Sequence, residues 1–222
     1  MVTVFITRHA QPVPTDAYDG DRPKDKPLSD LGRQQAAALG RRLREEEGFS
    51  GDIFASPFRR CLATAEHLCR AGGFTFVPAP ALGELSGGWL AGDDGVTMSV
   101  LRDRYDHLTG DANALDSPDW PGTDEGPASV EARVEAFLDA QLHGRSADLL
   151  LVGHGATSGA AVNVLAGTGV ESELTGSAGY NLHYNAALTA IEVTGEPALR
   201  FGNDTTHLAA EQRTSNATIV SE

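Results

Sequence analysis

The segment Val2-Thr3-Val4-Phe5-Ile6-Thr7-Arg8-His9-Ala10-Gln11 begins as an apolar, β-branched run and ends at an arginine–histidine pair. Such a run predicts a buried strand over residues 2–7. Arg8 and His9 then follow at the carboxyl end of that strand, which is the edge where open α/β sheets bind ligands. The segment therefore predicts both a central strand and a functional site beside it.

A second segment, far along the chain, repeats this arrangement. Residues 148–152 form another apolar run, and Gly153-His154-Gly155 follows it directly. If the two strands are parallel in one sheet, His9 and His154 reach the same crevice. Either histidine alone could simply end a strand near solvent. Two strands that end alike, one with an arginine beside its histidine, favour a shared site.

A third predicted strand, 52–55, leads into a predicted helix over 56–68, for which Ser56 is a typical N-cap. The N-terminus of that helix would face the same crevice, where unpaired backbone N–H groups favour an anion. Arg59 and Arg60 cannot share one face of the helix. We therefore expect one of them at the crevice and the other in solvent.

Helices and strands alternate through the rest of the chain, which predicts an α/β fold. Hydrophobic periodicity predicts helices over 28–43, 129–142 and 156–165, and strands over 74–77, 186–193 and 198–201. A polar, proline-rich segment, 12–27, is interpreted as a solvated linker, with contact to substrate as the alternative. The polar residues from Glu211 onward are typical of a loose tail.

Glu84 is a candidate general acid, because it stands alone in an apolar, glycine-rich loop over 82–92. Such surroundings raise the pKa of a carboxyl group by desolvation, as a general acid requires. A solvated glutamate is the alternative for a single acidic residue in a loop. Periodicity then fades over 93–126, apart from a predicted helix at 96–107. We interpret this stretch as an insertion that covers the mouth of the crevice.

The composition excludes several classes of partner. The net charge is −14, from 31 acidic and 17 basic residues, so the surface would repel a nucleic acid. No apolar run approaches the ~20 residues that a membrane span needs, and Met1 leads directly into the first strand, which leaves no room for a signal peptide. Cys61 and Cys69 lie on one predicted helix, about 12 Å apart along its axis and too distant for a disulfide. Reduced thiols and a cytoplasmic location are therefore expected.

Several motifs, taken in order along the chain, resemble those of the histidine phosphatase, or phosphoglycerate mutase-like, superfamily. The similar segments are Arg8-His9-Ala10-Gln11, 28–36, 56–65, 84–92, Gly153-His154-Gly155 and, as a closing element, 203–208. Ala10 and Gln11 stand where the family signature has glycine and glutamate. The resemblance covers about residues 2–208, and its alignment selects Arg60 over Arg59.

The resemblance implies a phosphoglycerate mutase-like fold, a three-layer α/β/α sandwich with a mostly parallel central sheet. It also implies a phosphatase that needs no metal and no cofactor, and no Cys/His grouping here has zinc-ligand spacing. Arg8 and Arg60 would fork onto the phosphoryl group, and His9 would attack phosphorus and become phosphohistidine. His154 would donate to a phosphoryl oxygen. Glu84 would protonate the leaving oxygen and then activate water.

The expected division of the chain is a catalytic domain over 1–208, with 93–126 as its insertion, and a polar C-terminal tail over 209–222. The expected partner is a small phosphorylated substrate, with neither nucleic acid nor membrane, and a homodimer is left open. Two alternatives to the phosphatase also stay open. One is a phosphoglycerate-type phosphomutase, and the other is a non-catalytic domain that binds a phosphorylated ligand.

Overall fold

The computed structural model describes residues 1–22, 24–117, 119–166 and 184–215, and a six-stranded sheet forms its centre. The strands are β1 (Thr3–Arg8), β2 (Asp52–Ala55), β3 (Val77–Pro78), β4 (Leu149–Gly153), β5 (Leu188–Glu192) and β6 (Ala198–Asp204). Their order across the sheet is β3-β2-β4-β1-β5-β6. Neighbours among β1 to β4 pair in parallel, and β5 runs antiparallel to both of its neighbours.

The position of β4 between β1 and β2 brings three strand ends to one edge of the sheet. Arg8 lies opposite Gly153, and Ala55 lies opposite Val152. The parallel pairing predicted for the two histidine-bearing strands is therefore confirmed. The residues that follow these three strands share the carboxyl edge of the sheet, where α/β proteins bind ligands.

Helices in the described part of the chain cover both faces of the sheet. They are α1 (Asp30–Glu45), α2 (Arg59–Gly72), α3 (Met98–Arg104), α4 (Pro127–Leu142) and α5 (Gly155–Ala166). The helices α1, α2 and α3 pack on one face, and α4 and α5 pack on the other. Alternation along β1 supports both layers, since Phe5 belongs to the first core and Val4 and Ile6 belong to the second. The predicted three-layer α/β/α sandwich is confirmed.

Local sequence signals place several elements close to their predicted bounds. Ser29 caps α1, because its hydroxyl accepts from the backbone N–H of Gly32 at 3.0 Å. The helix predicted over 129–142 begins two residues earlier, with Pro127 in its first turn. The two late strands pair antiparallel, as β5 and β6.

The second helix, α2, begins three residues later than predicted. Phe58 precedes it in an extended conformation and forms no side-chain cap. Ser56 is not the N-cap either, because it lies three residues before the helix; its hydroxyl contacts Nε2 of His154 at 2.8 Å and the N–H of Phe58 at 3.5 Å. The first N–H of the helix, that of Arg59, instead donates to the carboxylate of Asp25 at 2.7 Å. A side chain distant in sequence therefore supplies the cap.

The interpretation of 12–27 as a solvated linker holds for the exposed residues 14–17 and 19–21 and is wrong for Asp25. Asp25 is fully buried, and the guanidinium of Arg59 lies beside its carboxylate. Burial raises the pKa of Asp25 in spite of the surrounding arginines. The carbonyl of Lys24 accepts from the Arg60 guanidinium at 3.0 Å. This segment therefore packs on the N-terminus of α2, beside the edge of the sheet where the histidines lie.

The segment 93–126 contributes both to the core and to the rim of the crevice. The helix predicted at 96–107 is the shorter α3, preceded by a 3-10 turn at Asp94–Val96. The predicted strand 74–77 is reduced to β3, and Phe76 bridges to Leu108 of this segment. Pro121 packs closely against the glycines of the loop that carries Glu84.

Candidate active site

His9 lies directly after β1 and is almost fully buried. Its Nδ1 is 2.8 Å from the carbonyl oxygen of Ala10. A carbonyl oxygen can only accept, so Nδ1 carries the proton and Nε2 keeps its lone pair. Burial, together with the positive charges of Arg60 and Arg8, holds the pKa of His9 well below its ordinary value. The ring is therefore neutral.

His154 lies directly after β4, and its ring centroid is 5.4 Å from that of His9. Its Nε2 lies 2.8 Å from the hydroxyl of Ser56, and its Nδ1 lies 2.9 Å from Nη2 of Arg60. A guanidinium can only donate, so Nδ1 accepts, and Nε2 carries the proton and donates to Ser56. Burial and then the charge of Arg60 hold the pKa of His154 well below its ordinary value.

Arg8 and Arg60 supply positive charge to the crevice, and each is only 8% exposed. Arg60 projects from the first turn of α2 and lies 3.5 Å from a carboxylate oxygen of Glu84. Burial lowers the pKa of Arg8, while the charge of Glu84 opposes that shift. Of the adjacent pair on α2, Arg60 faces the crevice and Arg59 turns outward to Asp21.

The carboxylate of Glu84 reaches the same crevice, with Oε2 at 3.4 Å from Nδ1 of His154. The expectation that an apolar loop would enclose this carboxylate is wrong. Its side chain is 34% exposed, and it lies beside the guanidinium of Arg60. The loop is rich in glycine because other segments approach it closely, and this leaves the carboxylate on the open side.

Contacts from α4 fix the loop that carries Glu84. Arg133 donates to the carbonyls of Ala81 and Gly83, and its guanidinium pairs with Glu125 at 2.8 Å. Ser86 has a φ of 54°, a left-handed conformation that is uncommon outside glycine. Strained backbone of this kind persists where surrounding contacts determine it. The Glu84 carboxylate therefore has a defined position at the crevice.

Three polar residues that support the histidines were not identified as site residues from the sequence. Ser56 contacts His154, the Thr64 hydroxyl accepts from the N–H of Ala10 at 3.0 Å, and Asn185 donates to the carbonyl of His9 at 3.0 Å. Ser56 carried a usable signal, since it follows a strand just as the two histidines do. Thr64 lies within the segment 56–65 that resembles the family, whereas Asn185 carried no local signal.

The five side chains suit phosphoryl transfer. That reaction needs an aligned nucleophile and neutralisation of the charge on the phosphoryl oxygens, which the neutral imidazole of His9 and the two guanidinium groups can supply. The imidazole of His154 and the carboxylate of Glu84 can transfer protons. Over the described ranges, no three His, Cys, Asp or Glu side chains form a group that could hold a metal ion, and no helix is long and apolar enough to span a membrane.

Solved structures share this fold. An ecdysone phosphate phosphatase from Bombix mori, solved with tungstate, superposes with a TM-score of 0.66 at 19% identity, over 95% of this chain and 96% of that one. The protein YhfR from Bacillus stearothermophilus gives a TM-score of 0.63 at 23% identity, over 93% of this chain and 99% of that one. At these identities the likeness concerns the fold.

Sequence comparison identifies the family. The protein named "Putative phosphoserine phosphatase 2" of Hydrogenobacter thermophilus is 30% identical over 198 residues, which cover 88% of this chain and 92% of that protein. "Probable phosphoglycerate mutase GpmB" of Yersinia pestis is 29% identical over 182 residues, 78% of this chain and 79% of that one. The model of the histidine phosphatase superfamily, branch 1, matches residues 4–204. The chain therefore belongs to the histidine phosphatase superfamily.

Proposed function

We propose that this chain hydrolyses small phosphomonoesters without a metal ion, and that His9 carries the phosphoryl group between the two steps. The contact of His9 Nδ1 with the carbonyl of Ala10 carries the proposal, because it leaves Nε2 unprotonated. A neutral imidazole nitrogen is the form that attacks phosphorus. Arg8 and Arg60 would bind the phosphoryl oxygens and offset the charge on them.

Two half-reactions account for the chemistry. In the first, Nε2 of His9 bonds to phosphorus while the bond from phosphorus to the alcohol oxygen breaks, and the leaving oxygen takes the proton of the Glu84 carboxyl group. In the second, the Glu84 carboxylate takes a proton from water, and the oxygen of that water attacks phosphorus. The bond from phosphorus to His9 breaks, inorganic phosphate leaves, and Glu84 is again protonated.

His154 would bind a phosphoryl oxygen through Nδ1. That nitrogen accepts from Arg60 in the free site, so it must gain a proton once the guanidinium turns to the substrate. A phosphate dianion raises the pKa of an adjacent imidazole and opposes the effects of burial and of Arg60. Ser56 already engages Nε2, so the added proton goes to Nδ1, beside Glu84.

A phosphomutase is the second candidate, favoured by the similarity to the Yersinia pestis protein. It would use the same five residues and return the phosphoryl group to the product instead of to water. The 34% exposure of the Glu84 side chain supports the hydrolase, because solvent has access to the carboxylate that would activate it. A non-catalytic ligand-binding domain is the third candidate, and the convergence of all five side chains argues against it.

The proposal also includes the organisation and location of the protein. We assign the catalytic domain to 1–208, with an insertion over 93–126, and the tail to 209–222. Two buried free thiols, Cys61 and Cys69, support a cytoplasmic location. A small phosphorylated molecule is the expected partner, and the net charge of −14 argues against a nucleic acid. The homodimer stays a prediction that light scattering would test.

Base quenching during turnover of p-nitrophenyl phosphate tests the mechanism. Peptide mass spectrometry should find one phosphoryl group on His9, stable to base and labile to acid. The His9→Ala variant should lose both the label and hydrolysis. His143→Ala, which alters an exposed histidine at the end of α4, is the matched control and should keep both. A label on His154 or on a serine would contradict the assignment of His9.

A further inference from the structure

Two exposed apolar side chains belong to the loop that carries Glu84. Among the described residues the large hydrophobic side chains with high exposure are Met1, Leu85, Trp89 and Tyr184. Leu85 directly follows Glu84, and Tyr184 directly precedes Asn185, whose side chain binds the backbone of His9. Met1 lies at the opposite, amino end of β1. Leu85 and Trp89 therefore give the loop that carries Glu84 an exposed apolar surface.

Phe58 connects the phosphate end of the crevice to the exposed ring of Trp89. The Phe58 ring lies 4.9 Å from that of His154 and 4.8 Å from the guanidinium carbon of Arg60. On another side it packs edge-on against Trp89, with 5.7 Å between ring centroids. Trp89 itself is 37% exposed. An aromatic wall therefore runs from the catalytic histidine outward to solvent.

Two other arginines, Arg22 and Arg59, are already engaged with carboxylates. Arg22 pairs with Asp93 and lies beside Asp25, and Arg59 lies beside Asp25 and Asp21. A substrate whose alcohol part carried a carboxylate would have to displace one of these pairs.

Two lysines, Lys24 and Lys26, lie in the same segment as Arg22, residues 12–27. The ammonium of Lys26 donates to Thr15 at 2.7 Å, and Lys24 is exposed and binds Arg60 through its carbonyl. Neither lysine offers the planar fork that recognises a carboxylate. These two lysines therefore offer an anionic alcohol part point charges but no guanidinium fork.

We propose that the preferred substrates are phosphomonoesters of uncharged, ring-bearing alcohols, with the ring packed against Trp89 and Leu85. This inference rests on the proposed phosphatase function. Aromatic rings pack well edge-on or offset against tryptophan, and their burial is favourable in water. The phosphoryl group would sit between Arg8 and Arg60, and the alcohol oxygen would face Glu84, next to Leu85 in the chain.

Benzyl phosphate and phosphoserine form a discriminating pair, because both are esters of primary alcohols and only phosphoserine carries charges on the alcohol part. The parent protein should show kcat/KM for benzyl phosphate at least about tenfold above that for phosphoserine. Trp89→Ala should lower the value for benzyl phosphate about tenfold, as the loss of an aromatic contact and its buried area predicts. It should leave phosphoserine within about twofold, and Trp89→Phe should restore most of the loss.

A preference for phosphoserine, or an equal loss on both esters in Trp89→Ala, would overturn the inference about substrate class and leave the proposed phosphatase intact. A parent protein that hydrolyses neither ester, nor p-nitrophenyl phosphate, would overturn the proposed function and this inference with it. Inhibition by inorganic phosphate serves as the control, because it reports on Arg8 and Arg60 and should be the same in all variants.

A separate observation concerns the start of the predicted tail. Asn185, 1% exposed, donates from Nδ2 to the His9 carbonyl at 3.0 Å. Gln35 of α1, also buried, accepts from the N–H of Gln11 at 2.8 Å. Two buried amide side chains therefore hold the backbone on either side of Ala10, in the loop that carries the proposed nucleophile.

Thr214 joins these two amides. Its hydroxyl donates to Oδ1 of Asn185 at 3.1 Å and accepts from Nε2 of Gln35 at 2.9 Å. Its carbonyl accepts from the N–H of Asn185 at 2.8 Å. One hydroxyl thus uses its proton and one lone pair to contact both amides, and Nε2 of Gln35 also donates to the carbonyl of Gln212 at 2.6 Å. The beginning of the predicted loose tail is an ordered part of the support of His9.

We infer that Thr214 is a positioning residue for His9. Without its hydroxyl both amides lose a buried partner, which is costly and allows them to reorient. A small displacement of a nucleophile lowers the rate of reaction while substrate binding is kept. The effect should therefore fall on kcat, and on the rate of His9 phosphorylation in a single turnover, rather than on KM.

The variant Thr214→Val removes the hydroxyl and keeps the shape of the side chain. It should lower kcat about 10- to 100-fold with KM nearly unchanged. Thr214→Ser keeps the hydroxyl and should restore kcat to within about twofold. Glu211→Ala, an exposed change in the same segment, is the matched control. The melting temperature and inorganic phosphate binding of each variant show whether the fold and the phosphate pocket persist.

An unchanged kcat in Thr214→Val would overturn the positioning role. So would a loss of activity that Thr214→Ser does not restore, because that loss would follow from altered packing rather than from the missing hydroxyl. If Thr214→Val does not fold, kcat is compared between Thr214→Ser and Asn185→Asp. Only Asn185→Asp changes a hydrogen bond to His9, so only it should lower kcat.

Discussion

The hydroxyl of Ser56 lies 2.8 Å from Nε2 of His154, on the edge of the imidazole opposite Arg60. The guanidinium of Arg60 donates to Nδ1, so the proton lies on Nε2, and the Ser56 contact holds the ring with Nδ1 toward the crevice, where Arg60 and Glu84 lie. The orientation of an imidazole is set by the partner of its other nitrogen. Ser56 thus determines which nitrogen of His154 can meet a phosphoryl oxygen.

Replacing Ser56 with alanine should lower activity by freeing the His154 ring. We expect Ser56→Ala to reduce kcat about tenfold, because a buried Nε2–H would lose its acceptor and the ring could turn. Steady-state kinetics measures the loss, and Ser56→Thr, which keeps a hydroxyl, should recover most of it. Equal activity in Ser56→Ala and the parent protein would mean that other contacts orient His154.

Chelators should leave the phosphatase activity unchanged. Arg8 and Arg60 provide the positive charge that a divalent ion supplies in other phosphoryl-transfer enzymes. Hydrolysis of p-nitrophenyl phosphate after dialysis against EDTA measures this directly. Loss of most activity, followed by recovery on addition of Mg²⁺ or Zn²⁺, would contradict the mechanism with two arginines.

The variant Glu84→Gln should slow poor leaving groups far more than good ones. An alkoxide needs a proton in the transition state, whereas nitrophenolate leaves without one. General acid catalysis contributes about 10²–10⁴-fold, so an alkyl phosphate should lose a factor of that order. The rate of His9 phosphorylation in a single turnover is the quantity to compare, since Glu84 also acts in the second step.

Equal losses on both substrates would move the role of acid away from Glu84. Asp93 and Asp94 are the next acidic residues along the chain, and Asp93 already pairs with Arg22. The variant Asp94→Asn is therefore the matched control, and it should leave both substrates unaffected.

Stability should decrease as the pH falls below about 6.5, the ordinary pKa of histidine. Burial holds the pKa of His9 and His154 well below that value and lowers the pKa of His207 to about 4. The unfolded chain therefore binds more protons than the folded protein below about pH 6.5. The free energy of unfolding then decreases as the pH decreases. Above about pH 6.5 these histidines are neutral in both states and contribute no dependence.

Urea unfolding at about pH 7 and about pH 5 tests this dependence. Asp25 contributes in the opposite sense, because burial raises its pKa and the folded protein then binds the additional proton. The three histidines should outweigh it, and His207→Gln should show a smaller decrease than the parent protein. A free energy of unfolding that is constant over this range would refute the assignment of neutral, buried histidines.

Removal of the Arg42 side chain should destabilise the protein. This arginine of α1 is 5% exposed and pairs with Asp204 at 2.8 Å and with Glu47 at 3.2 Å. Glu47 would keep Arg200 at 3.5 Å and Asp204 would keep Thr206, so the cost should lie at the lower end of the about 3–5 kcal/mol that breaking a buried pair takes. Arg42→Met should lower the free energy of unfolding by about that amount, and Arg41→Met, at the exposed neighbouring position, should leave it within about 0.5 kcal/mol.

The closing element at 203–208 shows how a motif can be recognised without its role being known. The resemblance marked this segment as part of the family pattern. In the structure Asp204 binds Arg42, and Nε2 of His207 lies 3.0 Å from the carbonyl of Ala186. The segment thus ties the end of β6 to α1, a contact between residues far apart in the chain that no local pattern could indicate.

The sequence by itself determined most of the strands and helices, except for the bounds of α2, α3 and β3, and the strand ends that carry Arg8, His9 and His154. Hydrophobic periodicity and β-branching are local properties, and a parallel pair of strands necessarily ends at one edge. The histidines were therefore predictable as neighbours. The choice of Arg60 over Arg59 needed the family resemblance, since helical spacing showed only that the two point apart.

Only the tertiary structure decided the supporting contacts. Ser56 is a typical N-cap by its local sequence, but β4 places His154 within reach of its hydroxyl. Asp25 reads as a solvated residue, but it is buried against the start of α2, and the tail residue Thr214 binds buried amides beside His9. Hydrogen bonds of this kind depend on which distant groups the packed layers bring together. Sequence periodicity determines elements and their faces, whereas the partner of each polar group is fixed when the layers pack.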